Sequence, residues 1–523
     1  MEGKIVIPKI ERFHPDLASL FVYNPDACVE LREWRGHFLD NVRQYNSLLA
    51  FGGIRANFDP AFFDNIRNNN RHGFVYRVHG NMYFHIPPIF NADEDEHRLQ
   101  SAQFHIHDSD EAHRRRVDAW HPDNGQINEN LLTFLENTIN SVYPFHRILR
   151  NMRTILTEAR DSGNAFNCAM FITTRPTPNE GPQMENRMPE DHVPGGEIAA
   201  VFPGDDPPRD LSIAIHPRLN HRLRLSYRNP LVDPILFPLL FTYGDLGYRE
   251  TTHARETRVN NRTTMKEFYC YRLCIRKVEG SLFNNVLFQC GKLFQEYVCH
   301  CYMRVEANDL NWQYRNQEQL RVGEYERVRD IHQQTNPGAE PGDAGYPIIL
   351  SSSFPGSVRN MRSHYFDTMS MASHFGKPDF FITFTMNPKC EEIERHLPGD
   401  YAKYINRPDL CSRVFELTLK KLYDLISKKH ILGPMEAWCG TREYQKTGLP
   451  HAHTAWWLKE EEKIQSAADL DKYISAELPD EQADPELFAL VVKYQLHGPC
   501  YANRPCSRPG PTCAKIILKN FKK

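Results

Sequence analysis

His451 and His453 stand two residues apart in the segment LPHAHTAWWL. On a strand, side chains alternate between faces, so both imidazoles point the same way, about 7 Å apart along the chain. Two imidazoles so placed can ligate one divalent ion. Glu443 and Gln445 precede them across a short turn holding Gly448 and Pro450. A hairpin would carry one of the two beside the histidines, giving two nitrogen donors and one oxygen. Such a set leaves coordination positions open. It suits Mg²⁺ or Mn²⁺ acting as a Lewis acid on a phosphate.

Spacing alone does not make a metal site, because His105-Ile106-His107 has the same pattern. No hairpin carries a carboxylate or amide within reach of that pair, and His105 and His107 read as structural or exposed residues. A second cluster lies near the C-terminus: His497, Cys500, Cys506 and Cys513 fall within HGPCYANRPCSRPGPTC. Four such ligands separated by Pro, Gly and Asn could close around Zn²⁺, although the spacing is irregular for a zinc finger; free thiols in a loop are the alternative. Arg504, Arg508, Lys515, Lys519, Lys522 and Lys523 give this end a local positive excess.

These residues must be held by folded elements. Asp379–Thr385, DFFITFT, is strongly β-prone. Leu410, Val414, Leu417, Leu422, Leu425 and Ile426 mark a helix over 408–429, opened by Pro408 and Asp409. Met435–Gln445 and His451–Leu458 read as paired strands, and Pro485–Tyr494 as a further helix. The expected class is α+β, an antiparallel sheet with helices on one face, preceded by a mixed α/β region. Upstream, Leu282, Val286, Leu293, Val298 and Val305 suggest a long buried helix over 282–306. Residues 174–209 read as Pro/Gly-rich loops around one strand at 197–202. NPGAEPGDAGY, 336–346, is the clearest linker. The expected organisation is therefore 1–335 in one or two subdomains, a core over 347–495, and a knuckle and basic tail over 496–523.

The chain has 523 residues, 41% of them apolar, and a net charge of −3. This is an ordinary globular balance with no global electrostatic case for a nucleic-acid partner, which requires only local basicity. Thirteen cysteines with no secretion signal fit a reduced compartment better than a disulfide framework. No apolar run is long enough to span a bilayer.

GKPDFFITFTMNP followed by EYQKTGLPHAHTAWWL resembles two motifs of the HUH endonuclease superfamily in its Helitron version. NVRQYNSLLAF, FITTRPTPNE, DPILFPLLFTYGDLGY, NVLFQCGKLFQEYVCHCYMRVE, RPDLCSRVFELTLKKL and YISAELPD are also similar to Helitron transposase segments, in family order. The resemblance implies a nuclear protein that cuts single-stranded DNA at transposon ends through a tyrosine. It implies a metal held by His451, His453 and either Gln445 or Glu443, with Gln445 slightly favoured. Thr383, Thr385 and Asn387 would line the DNA-facing strand; ordinary sheet threonines and a turn asparagine are the equal alternative. Trp457, on the histidine face, would stack a base, while Trp456 would be buried.

Two features depart from the family. Its paired tyrosines, three residues apart, have no counterpart after His453; Tyr473, Tyr494 and Tyr501 are the later tyrosines. Of these, Tyr473 and Tyr494 are weak nucleophile candidates, better read as packing residues. There is also no GxxxxGK[ST] phosphate loop of the family's C-terminal helicase. The expectation is an incomplete or decayed copy that binds metal and DNA without nicking or unwinding. The alternatives are a non-catalytic DNA-binding or assembly module and an unrelated metallohydrolase.

Overall fold

Apolar residues at helical spacing build the first layer of the protein. Helix α1 (Pro15–Phe21) buries Leu17, Leu20 and Phe21. Helix α2 (Val29–Leu49) buries Leu31, Phe38, Val42, Tyr45, Leu48 and Leu49 on one stripe. In the computed structural model the described residues are 13–22, 24–55, 83–86, 109–121, 125–143, 146, 168–172, 199–203, 213–215, 223–248, 263–274, 286–317, 319–320, 350–397, 404, 407–445, 449–466, 469–470, 473–474 and 477–494. The His105/His107 pair, the linker at 336–346 and the cluster His497, Cys500, Cys506 and Cys513 lie outside them.

Strands β1 (Gly53–Arg55) and β2 (Tyr83–Ile86) follow, then helices α3 (Ser109–Asp118) and α4 (Glu129–Val142). Asn128 caps α4, its side-chain oxygen accepting from Leu131 N–H at 3.0 Å. Strands β3 (Cys168–Ile172), β4 (Ala199–Pro203), β5 (Ile213–Ile215) and β6 (Leu223–Leu225) come next. They form two antiparallel sheets, ordered β1-β2-β6 and β4-β3-β5. Helices α5 (Val232–Leu236), α6 (Met265–Arg272) and α7 (Gly291–Arg315) complete this part. A capping box, Thr264 with Glu267, opens α6.

The long helix differs from its expected span of 282–306. A 3₁₀ turn over Val286–Gln289 precedes it, and Gly291 takes a φ of +53°, which breaks the helical path. Helix α7 then runs on to Arg315. Its last turns bury Gln313, whose amide donates to Ser351 Oγ at 3.1 Å, so no apolar periodicity marked them.

Helix α8 (Val358–Phe375) carries Val358, Met361, Tyr365 and Met369 at helical spacing, and none of its residues is buried. Ser357 caps it, accepting from Asn360 N–H at 3.1 Å. Strand β7 (Phe380–Thr385), the short helix α9 (Glu391–Glu394), helix α10 (Pro408–Ser427), strands β8 (Met435–Tyr444) and β9 (Pro450–Leu458), and helix α11 (Pro485–Tyr494) follow. The third sheet has the order β7-β9-β8. Its pairing is antiparallel. Asp379 N–H donates to Trp456 O and Met386 N–H to Pro450 O on one side; Gln445 N–H donates to Leu449 O and Lys459 N–H to Pro434 O on the other.

The protein is thus mixed helix and strand, and it divides into two compact units. One holds the residues up to His374 with Thr383–Lys420 and Thr441–His453; the other holds Phe375–Ile382, Lys421–Gly440 and the residues from Thr454 onward. The core of the first is aromatic-rich and includes Phe21, Phe38, Tyr45, Tyr143, Phe237, Phe241, Phe268 and Tyr297. Within this unit Phe384 of β7 stacks on Phe415 of α10, ring centres 5.5 Å apart. In the second, Ile426, Leu422 and Tyr423 of α10 pack on Phe380, Ile382, Trp456 and Leu458. Among the described residues no helix is long and apolar enough to cross a membrane.

Candidate metal centre

Strand β9 is central in its sheet, so each side chain on it has a neighbour on either flank. Its burial alternates around the histidines: Ala452 and Thr454 are buried, while His453 is half-exposed. Ala452 turns toward the packed face, which leaves His451 and His453 together on the other. The Gln445–Leu449 backbone bond closes the β8–β9 connection and sets the register that brings Glu443 opposite the pair.

Glu443 Oε1 lies 2.5 Å from His451 Nε2 and 3.1 Å from His453 Nε2. The two Nε2 atoms are 3.0 Å apart. Three donors therefore converge on one point. Among the described residues they form the one group of His, Cys, Asp and Glu atoms close enough to hold an ion. The two imidazoles hold the Glu443 carboxyl below its ordinary range, the His451 hydrogen bond contributing most and that of His453 next.

One imidazole Nε2–H can donate to Glu443 and to the bare Nε2 of its neighbour, so hydrogen bonds can join the three atoms without an ion. A cation is the other group that would join all three. Ligands about 2.1 Å from an ion lie about 3.0 Å from one another in an octahedron and about 3.4 Å in a tetrahedron. The spacings of 3.0 and 3.1 Å match the octahedral edge, while the 2.5 Å between His451 Nε2 and Glu443 Oε1 is shorter than either edge and would have to open to admit an ion. The donor set is two imidazoles and a carboxylate, and Glu443 is 56% exposed at the side chain, which leaves space for further ligands.

Of the two expected oxygen donors, Glu443 is the one within hydrogen-bond distance of the histidines, and Gln445 contributes its backbone N–H to the turn. The reason is register: the Leu449 bond engages Gln445 as the last residue of the hairpin and places Glu443 across from His451.

Thr383, exposed on β7, bonds His453, its Oγ1 lying 2.9 Å from Nδ1. Thr385 is exposed on the same side of β7. Asn387 is a turn residue, its Oδ1 accepting from Lys389 N–H at 3.0 Å.

Trp457 corrects the stacking expectation. It is 2% exposed, and its indole N–H donates to Gly376 O at 2.9 Å. Alternation places it on the histidine face, but the chain entering β7 covers that end, so no ring surface is open to a base. Trp456 is fully buried and stacks on Trp438, centres 5.2 Å apart. Tyr473 packs edge-on against Phe380 at 5.5 Å, with its hydroxyl donating to Glu462 at 3.5 Å. Tyr494 is exposed, with the Lys493 ammonium over its ring.

Sequence reasoning missed the Thr383–His453 bond. Cross-strand pairing decides it, and β7 lies some seventy positions upstream of β9. The alternation of DFFITFT showed which residues share a face, but not which partner each would meet.

Residues 268–455 match the family model described as the Helitron helicase-like domain at the N-terminus. The matched segment runs from α6 into β9 and includes Thr383, Glu443, His451 and His453. No curated protein matches the chain.

Proposed function

From the premise that residues 268–455 are a Helitron helicase-like domain in a Helitron-type protein, we propose that the Glu443–His451–His453 centre binds Mg²⁺ or Mn²⁺ and engages a phosphodiester of single-stranded DNA, as the metal-dependent nicking and strand-transfer region of a transposon-derived nuclear protein. The convergence of three ligand atoms on the open side of the sheet carries this reading.

Charge explains why a cation is needed. With neutral imidazoles the centre holds one negative charge, on Glu443, which repels a phosphodiester. A bound divalent ion reverses that sign and would polarise the phosphate oxygen as a Lewis acid. The chain's own residues supply the rest. His451, nearly buried, anchors the floor of the site, while His453 and Glu443 reach its rim. Thr385 of β7, exposed on the same face, offers its hydroxyl to a strand lying there. "Helicase-like" describes the matched domain and not this chemistry: the donor set suits a phosphate held beside a metal, whereas unwinding needs a nucleotide-binding loop.

The test uses the full chain with a labelled single-stranded oligonucleotide and Mn²⁺. Manganese binding measured by electron paramagnetic resonance, and metal-stimulated oligonucleotide binding or cleavage, are expected; both should be lost in His453→Ala. Oligonucleotide binding that ignores both the metal and His453→Ala would instead favour a non-catalytic DNA-binding or assembly module. An absence of Mn²⁺ binding would end the metal reading.

A further inference from the structure

We infer that Thr383 is a positioning residue that sets the ring orientation of His453 in either tautomer, so that its Nε2 faces the metal. The inference rests on the proposed metal centre and extends it to a residue on a different strand.

A neutral imidazole carries one proton on two nitrogens. The nitrogen that ligates must be bare, so the proton must sit on the other, where it needs an acceptor. For His453 the acceptor is present: Thr383 Oγ1 lies 2.9 Å from Nδ1. With Nδ1–H donating to that oxygen, the Nε2 lone pair is directed at the point shared with His451 Nε2 and Glu443 Oε1. The neighbouring ligand has no such support, since His451 Nδ1 is buried without a hydrogen-bond partner. Of the two imidazoles, only His453 has its ligating face fixed by a side chain.

A hydroxyl suits this role because it can reverse. When Nε2 carries the proton and donates to Glu443, the Thr383 hydroxyl donates to Nδ1; when the proton sits on Nδ1, the same oxygen accepts it. The contact survives both tautomers, so exchange between them does not free the ring. Thr383 is exposed and its hydroxyl has no other bond, so the His453 contact is its one polar interaction. The Met386–Pro450 backbone bond, 3.1 Å, pins the strand pairing that aligns the two residues.

Thr383→Val keeps the β-branched shape that favours a strand and removes the hydroxyl; Thr383→Ser keeps the hydroxyl. The full chain of each variant and the wild type is titrated with Mn²⁺ alone, and the melting temperature is read without metal. Thr383→Val should weaken Mn²⁺ binding about 10–100-fold, the usual loss for an outer-shell partner. Thr383→Ser should bind close to the wild type, and all three should melt alike. A merely structural threonine would move the melting temperature and not the affinity. Equal Mn²⁺ affinity in Thr383→Val and the wild type overturns the positioning role alone, as does a Thr383→Ser variant as weak as Thr383→Val. A wild type that binds no Mn²⁺ overturns the metal centre itself, and the two failures are thereby told apart.

Discussion

Asp233 and Glu443 each stand against two basic side chains, and the two places behave in opposite ways. Around Asp233, Arg272 Nη1 donates to Oδ2 at 2.8 Å and Arg304 Nη1 donates to Oδ1. Tyr297 and Tyr269 add hydroxyl donors at 3.0 and 3.1 Å. The guanidinium groups are engaged further by the carbonyls of Leu246, Tyr227 and Asn229. Asp233 and Arg304 are fully buried. Around Glu443 the partners are two imidazoles whose Nε2 atoms lie 3.0 Å apart, and the carboxylate side chain is 56% exposed. Both Asp233 oxygens are held by buried protein donors, whereas the Glu443 cluster is open to solvent. The closed cluster is a structural keystone, and the open one is where a ligand can reach.

The sharpest way to break this contrast is Asp233→Asn. It leaves two buried guanidinium groups facing a neutral amide, a loss of about 3–5 kcal/mol by the usual cost of orphaning a buried charge. Urea or thermal unfolding should show it, with the variant at or below the edge of folding. A variant that melts like the wild type would show that the cluster is not closed in the sense argued. Gly247→Ala probes the same closure by sterics. A Cβ there would sit 2.8 Å from Asp233 Cγ and 2.9 Å from Oδ2. Crowding of a packed site costs about 1–3 kcal/mol. A neutral result would mean that the Asp233 carboxylate has space to move.

The same contrast explains what could be read from sequence. Glu443 lies eight and ten positions from His451 and His453. A hairpin and strand alternation suffice to join them, and both are visible in residue order. Asp233 meets Arg272 across 39 positions and Arg304 across 71. Those contacts depend on how α5, α6 and α7 pack, which periodicity does not encode, and no part of the network was anticipated. Between these limits stand the residues whose face was legible but whose neighbour was not. Trp457 and Thr383 lie on the histidine face as alternation requires. Yet the Phe375–Gly376 segment covers one, and His453 takes the hydroxyl of the other. The choice of Glu443 over Gln445 belongs here too, because both share a face and the hairpin register decides which lies across from His451.

Removing a histidine should reverse the pattern seen at Asp233, with little effect on stability and a large one on metal. His453 is part-exposed, and His453→Ala should shift stability by no more than about 0.5 kcal/mol. Its Mn²⁺ affinity should fall by more than the roughly 10–100-fold expected for an outer-shell partner. Calorimetry with Mn²⁺ beside a thermal melt reads both quantities. Severe unfolding with intact binding in the folded fraction would invert the comparison.

The smallest effect concerns the Glu443 proton. The hydrogen bonds from His451 and then His453 depress its folded-state pKa below the ordinary value of about 4.3. For a depressed carboxylate the stabilising contribution is fully present above the unfolded pKa and is lost as pH falls through the folded one. Carbonyl-carbon NMR of metal-free protein should therefore show Glu443 titrating below free glutamate. Protonation should release the two imidazoles while the fold persists, because an exposed side chain ties down little of the structure. In Glu443→Gln the imidazole signals should become insensitive to pH across that window. A Glu443 that titrated at the free value would mean that the imidazoles do not hold it in solution. The open cluster would then lack the preformed convergence that sets it apart from the one around Asp233.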